Sequence, residues 1–387
     1  MNDNKPPIIK AIPFVLRDAA DIARREWMYG HHLIRKYVSL TIAPGGLGKT
    51  ALLVADAIAM VTDIDLIGTK VYGGPKNVWF FNLEDPMDEM ERRIAAACQR
   101  YGINRNRLGD RLFVDSGREQ PLRIAECVNG KTRIIAPVAE QIVEEIMKNQ
   151  IDVLIIDPFV SSHGVPENDN GAIDQVAKEW GRIAQSAYCA IELVHHLRKM
   201  GDQEATAESA RGAVALVSAA RSVRVLNRMT QKQAQAAGEE SHRGFFSVID
   251  DKNNLAPPAE KAEWFKLESV TLANDDKVGV VVKWRWPDLA GDIEDEKVLE
   301  VQKAVDGKGL RANVQAKDWV GYTVGKALGL DMTKDGDKAR VKALIKAWTA
   351  NGSFAITNTT DPKGQLRPII EVGKWIVLPT PPPSEVG

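Results

Sequence analysis

Val38-Ser39-Leu40-Thr41-Ile42-Ala43-Pro44-Gly45-Gly46-Leu47-Gly48-Lys49-Thr50-Ala51 is the stretch whose reading decides the fold. Residues 38–42 are a short β-rich run, residues 43–50 a Gly-rich loop, and residues 51–60 a strong helix former. Strand, loop and helix in that order form the context of the Walker A phosphate-binding pattern. Its glycines let backbone N–H groups turn inward, and the helix N-terminus adds its positive dipole end. Pro44, Gly45, Gly46, Leu47, Gly48, Lys49, Thr50 and Ala51 are therefore expected to line a nucleotide site. Lys49 is expected to reach the β- and γ-phosphates, and the Thr50 hydroxyl to ligate Mg²⁺. Ala43 stands where the pattern usually has its first glycine.

Outward from this loop, strands and helices alternate. Residues 76–83 hold the apolar run Val78-Trp79-Phe80-Phe81, and residues 87–101 carry Met90, Ile94 and Ala97 at helical spacing. Residues 111–114 read as a strand, 138–148 as an amphipathic helix, 172–187 as a helix and 189–194 as a strand. Residues 151–156 form an almost unbroken apolar run, as in a strand covered on both faces. The alternation predicts α/β architecture with a central, mostly parallel sheet flanked by helices. Four further strand-like runs after Ser222 are expected as antiparallel additions at the sheet edge.

Polar residues at strand ends supply the candidate chemistry. Asp157 ends the run Val153-Leu154-Ile155-Ile156, the Walker B pattern, and is expected to hold Mg²⁺. Pro158 and Phe159 follow it, so a water-activating carboxylate must come from elsewhere. Glu84, in Asn82-Leu83-Glu84-Asp85-Pro86, is the candidate, with Asp85 as the alternative. Both would otherwise cap the helix after Pro86. His195 and His196 end another strand, where a polar side chain can bond the γ-phosphate; no third ligand lies near enough in sequence to make a metal site. Arg211, among small residues in Ser209-Ala210-Arg211-Gly212-Ala213, is a candidate arginine finger or a plain surface residue. Trp27 and Tyr29, just ahead of the loop, are candidates to stack on the base.

Composition bounds the rest. The chain has 387 residues, 27% charged and 44% hydrophobic, with a formal net charge of −1. This is the make-up of a globular protein, too long for one core, with no global attraction for nucleic acid. Three scattered cysteines exclude a disulfide framework and point to a reducing compartment. No apolar run reaches membrane-spanning length, so a cytoplasmic protein without a membrane partner is expected. The expected organisation is a leader at 1–26, an ATPase domain at 27–290, a small domain at 291–377 and a Pro-rich tail at 378–387. In the small domain three helices (297–305, 319–328, 338–351) precede two strands (354–357, 368–377), the order of a winged helix. Between Asp306 and Lys374 there are twelve Lys/Arg against seven Asp/Glu. Lys338, Arg340, Lys342 and Lys346 share one helix, and Lys363 and Arg367 flank the turn between the strands. Such a face meets phosphates, or merely solvates a partner-binding module. Trp319, Tyr322, Trp348 and Phe354 are expected in its core.

Taken together, APGGLGKT, NLEDP, LIIDPF, HHLRK and ARGA resemble the motif set of the plasmid-type RepA hexameric helicases, a RecA-type ATPase branch related to the DnaB replicative helicases. The resemblance spans about residues 27–287. It implies a RecA-like P-loop NTPase core and a homo-oligomeric, usually hexameric, ring with ATP and Mg²⁺ at subunit interfaces. Glu84 would be the catalytic carboxylate and Asp157 the Mg²⁺ partner. His196 would be the γ-phosphate sensor, with His195 the fallback. Arg211 would be a finger acting in trans, joined by Lys252. Single-stranded DNA would pass through the ring, gripped by residues 161–170 and 199–208, and the C-terminal domain would meet duplex DNA or a replication protein. The implied activity is that of an ATP-driven helicase serving a plasmid, phage or other mobile element; an ATP-dependent switch, loader or recombination ATPase is the alternative.

Overall fold

The computed structural model describes residues 10–197, 204–207, 214–257, 259, 261–287, 291, 293–361 and 364–377. The Arg211 segment, Arg198, Lys199, Lys363 and the Pro-rich tail lie outside the described residues. Two short strands, β1 (Trp27–Tyr29) and β2 (Leu33–Ile34), form an antiparallel pair. They lead into β3 (Val38–Pro44), the loop, and α1 (Lys49–Thr62). α1 is apolar almost all round, as a helix buried beneath a sheet must be.

β4 (Val78–Asn82), α2 (Met87–Tyr101), the short α3 (Arg105–Leu108) and β5 (Leu112–Ser116) follow. A small antiparallel hairpin, β6 (Ala125–Val128) and β7 (Lys131–Ile134), precedes α4 (Ala136–Lys148), β8 (Val153–Asp157), α5 (Asn170–Ser186) and β9 (Ala190–Leu197). The chain continues with α6 (Val214–Ala219), β10 (Ser222–Arg228), α7 (Gln231–Ala237), and strands β11 (Phe245–Asn253), β12 (Glu263–Thr271) and β13 (Lys277–Trp284).

Nine strands make one sheet in the order β13-β12-β11-β10-β3-β9-β8-β4-β5. Side chains alternate across it. Val78 and Phe80 meet α1 and α2, while Trp79 and Phe81 meet α4 and α5. The core is therefore an α/β/α layering with a mostly parallel central sheet. One expectation is corrected: β10 runs parallel to β3, and only β11 to β13 are antiparallel additions. β10 is central, with apolar Val223, Val225 and Leu226 fully buried, and nothing in its own composition distinguishes it from an edge strand.

The C-terminal unit has its own core. α8 (Asp295–Val305), β14 (Leu310–Arg311), α9 (Val320–Ala327), α10 (Asp335–Ala350), β15 (Phe354–Thr360) and β16 (Leu366–Val372) enclose Trp319, Val324, Leu344, Trp348 and Phe354. Its sheet has the order β14-β16-β15. Gln302 of α8, wholly buried, ties Ser353, Lys374 and Ile376 together through their backbones. Tyr322 is not part of this core; at 44% exposure it leans edge-on against Trp319. No described helix is long and apolar enough to cross a membrane, and the three cysteines are free thiols.

Candidate functional site: a phosphate-binding cleft

The loop between β3 and α1 lies at the C-terminal ends of the parallel strands, where open α/β sheets bind ligands. Gly46 and Gly48 take left-handed φ values of 69° and 95°. At Gly48 the left-handed φ demands glycine, and a Cβ would in addition push the tip of the Leu267 side chain at 2.9 Å. A cleft of about 710 Å³ opens over the loop. It is lined by residues 46–51, by Glu84, Asp85 and His196, by Glu89, Arg92 and Arg93 of α2, and by Leu267 with residues 276–279 of the β12–β13 hairpin.

Walker A and Walker B elements meet directly. The Thr50 hydroxyl donates to Asp157 Oδ2 at 2.7 Å. Burial pushes the Asp157 carboxyl up to about 6, against the pull of the Thr50 hydrogen bond and the Lys49 charge. Lys49 is itself 5% exposed, and burial lowers its pKa although Asp157 and Glu84 work the other way. Its ammonium donates to His196 Nδ1 at 2.7 Å. Burial first, then the Lys49 charge, drop the His196 pKa to about 4, so the ring is neutral at pH 7. With Nδ1 accepting, the proton sits on Nε2. That nitrogen is buried without a hydrogen-bond partner, 4.0 Å from Glu84 Oε2.

The two histidines divide between the faces of the sheet, as neighbours on a strand must. His196 faces the loop. His195 turns into a small cavity with His163, Glu167 and Leu216, and burial lowers both His195 and His163 to about 4. His196, not His195, is therefore the residue in the cleft.

Between the two carboxylates the structure also distinguishes. Asn82 Oδ1 accepts from the backbone N–H groups of Glu84 and Asp85 and fixes that turn. Asp85 is engaged by Arg93 at 2.8 Å, whereas the Glu84 side chain is about half exposed and projects into the cleft. Neither caps α2, whose N-cap is Pro86 with no side-chain hydrogen bond.

Other expected contacts fall elsewhere. The Lys252 ammonium donates to the carbonyls of Val217, Ser218 and Ala220 at the end of α6. Trp27 and Tyr29 do not line the cleft, and Tyr29 is buried at 1% exposure. Their place at the site is taken by the β12–β13 hairpin and α2. Sequence reading missed Arg92, Arg93, Leu267 and Lys277, since nothing local marks an antiparallel hairpin as a wall of a distant loop. Among the described cations of the cleft, Arg92 and Arg93 are held by carboxylates and Lys277 makes no ion pair with a described residue.

Residues 6–202 match the AAA-domain family. The chain belongs to that family. It is a family of P-loop ATPases, and the chain is accordingly a P-loop ATPase. No curated protein matches the chain. Within the AAA-domain ATPase, the match covers β3 through β9 and so includes Lys49, Thr50, Glu84, Asp157 and His196.

Beneath the cleft the same strands carry a second polar cluster. Glu192 of β9 accepts from the Thr41 hydroxyl and pairs with His32 Nε2 at 2.8 Å. Arg224 of β10 donates to Thr41 Oγ1 and to Asp56 Oδ2 of α1, each at 2.7 Å. Burial raises the Glu192 pKa, but His32, Arg224 and Thr41 outweigh it and hold the carboxyl below its usual range.

Proposed function

We propose that this AAA-domain ATPase is an ATP-driven DNA helicase or translocase of the RepA-like type, acting as a homo-oligomeric, hexameric ring on single-stranded DNA in the replication of a plasmid, phage or other mobile element. The carrying observation is the His196 imidazole. It is tied to Lys49 at Nδ1, its Nε2–H is unpartnered, and it lies one residue before the end of β9, the strand that precedes residues 199–208, one of the two segments read as DNA loops. A donor that bonds the γ-phosphate and loses that bond on hydrolysis shifts the segment after it.

The two oxygens of Thr50 and Asp157 form a hard ligand pair suited to Mg²⁺, which these residues would hold. When bound, the ion neutralises charge on the phosphates. Loop amides and Lys49 hold the β- and γ-phosphates of ATP. Glu84 orients a water and takes its proton as the water oxygen attacks the γ-phosphorus. The bond from that phosphorus to the bridging oxygen breaks, leaving ADP and phosphate. Nε2–H of His196 donates to a γ-phosphate oxygen throughout. The remaining charge is met by Arg211 from a neighbouring subunit. The helix–strand–helix–helix–strand–strand order of the C-terminal unit supports a winged helix, which meets duplex DNA or a replication protein.

Steady-state ATP hydrolysis, alone and with single-stranded or duplex DNA, tests this reading. Strong stimulation by single strands, followed by unwinding of a forked duplex, is the expected result. Stimulation by duplex alone, or by neither, would replace the motor with a DNA-bound switch or loader.

A further inference from the structure

A second groove, of about 680 Å³, lies where α10 of the C-terminal unit meets α7 of the ATPase domain. Lys338, Lys342 and Lys346 line one wall and Lys232 the other, with Gln235 between. The three α10 lysines recur every fourth residue, so they form one row with about 6 Å between neighbours. None of the four makes an ion pair with a described residue. The acid of the groove, Asp335, faces Gln235 at 3.5 Å, at the end of α10 from which the lysine row runs away.

Four unpaired ammonium groups facing one groove repel each other unless an anion lies between them. A row at this spacing suits consecutive phosphates on one backbone, and the release of counterions from those phosphates drives association. The second wall decides the kind of strand. At Gly336 even a Cβ would stand 2.8 Å from the Gly238 carbonyl oxygen, so the start of α10 is pressed against the end of α7. α7 thus makes the lysine row one wall of a groove, and a cationic groove that tracks a single backbone is the form in which single strands are bound.

We infer that the α7–α10 groove binds the phosphodiester backbone of single-stranded nucleic acid, with Lys232 of the ATPase domain and Lys338, Lys342 and Lys346 of the C-terminal unit as its phosphate contacts. The inference rests on the proposed action on DNA. It adds a strand-binding track bridging the two units, distinct from the nucleotide cleft. A strand held there contacts both units at once, so it reports their relative position to the ATPase domain.

Fluorescence anisotropy of a labelled deoxyoligonucleotide, single-stranded and as a blunt duplex, titrated with the full chain across a salt series, tests it. The single strand is expected to bind more tightly. Lys232→Ala, Lys342→Ala and Lys346→Ala are each expected to make the slope of log affinity against log salt shallower by about 0.7. The double charge reversal Lys232→Glu/Lys342→Glu is expected to weaken binding at least about tenfold, with an unchanged circular dichroism spectrum. If wild type binds single strands but Lys232→Glu binds equally well, the bridging groove is wrong while the action on DNA stands. If all four lysines are dispensable, the groove takes another ligand, such as an acidic protein, and the inference falls. Tighter, lysine-dependent binding of duplex overturns the single-strand assignment. Should wild type bind neither form and its hydrolysis ignore DNA, the proposed function and this inference fail together.

Discussion

Two polar clusters occupy the same strands a few residues apart and are built to opposite ends. Below, His32, Thr41, Glu192, Arg224 and Asp56 bond to one another across the β1–β2 turn, β3, β9, β10 and α1, and only the second carboxylate oxygen of Asp56 is left without a hydrogen bond within this group. Above, Lys49, Thr50, Glu84 and His196 line the cleft, with Asp157 buried behind the Thr50 hydroxyl. His196 Nε2 lacks a partner, and Asp157 holds its proton up to about 6 because burial outweighs its hydrogen bond. A buried charge surrounded by partners contributes to a unique packing. A buried charge short of partners is poised for a ligand that supplies them.

The comparison breaks most visibly in the lower cluster. Arg224→Met removes the partner of Asp56 and one of Thr41's bonds, leaving a carboxylate buried at 2% exposure. Denaturant unfolding should show a loss of about 3–5 kcal/mol. A loss below about 1 kcal/mol would mean that water reaches Asp56 and that the lower cluster is not closed.

In the upper cluster the loss should appear in rate rather than stability. Lys49→Ala should lower the rate of ATP hydrolysis about 10²–10³-fold, the scale of one lost charge-stabilising donor, with the unfolding midpoint kept. Wild-type turnover would remove Lys49 from the site. Glu84→Gln should cost about 10²-fold in turnover while fluorescent ATP analogues still bind. If Asp85→Asn is the more damaging change, despite the Arg93 contact, the base assignment moves one residue along.

The pH response separates the clusters by sign. Asp157 in the folded, nucleotide-free protein titrates near 6 instead of 3.8. The folded state thus binds the extra proton, and this group's stabilising contribution is lost as pH rises through that interval. Glu192 does the reverse: its contribution is present above its ordinary 4.5 and is lost as pH falls through its lowered folded value. Thermal unfolding from pH 7 to 5 should therefore show a stabilising component that Asp157→Asn abolishes. Mg²⁺-supported nucleotide affinity should fall over the same range in the wild type. Identical pH curves for wild type and Asp157→Asn would place this carboxylate in an ordinary environment.

Most of the parallel core was legible because periodicity and the strand–loop–helix pattern are local signals. Ile155 and Ile156 announce a covered strand, and Gly48-Lys49-Thr50 announces the phosphate loop, without reference to anything distant. The orientation of β10 was not legible, because strand direction is fixed by the partner a strand finds. The placement of Glu84 and Asp85 was half legible: the turn was visible, but not that Arg93 of the following helix pairs with Asp85. The lower cluster left a faint trace as single charges within apolar runs, in Ala190-Ile191-Glu192-Leu193-Val194 and Ser222-Val223-Arg224-Val225, yet nothing local says that they meet.

The sequence alone determined the P-loop ATPase family, the strand–loop–helix around Gly48-Lys49-Thr50 and the alternating architecture, since each depends on residues adjacent in the chain or repeating at a fixed period. Only the tertiary structure decided that His196 rather than His195 enters the cleft, that the β12–β13 hairpin walls it, and that Lys232 faces the lysines of α10. Those depend on which face of an element is turned toward which neighbour, and that is set by packing between residues far apart in the chain.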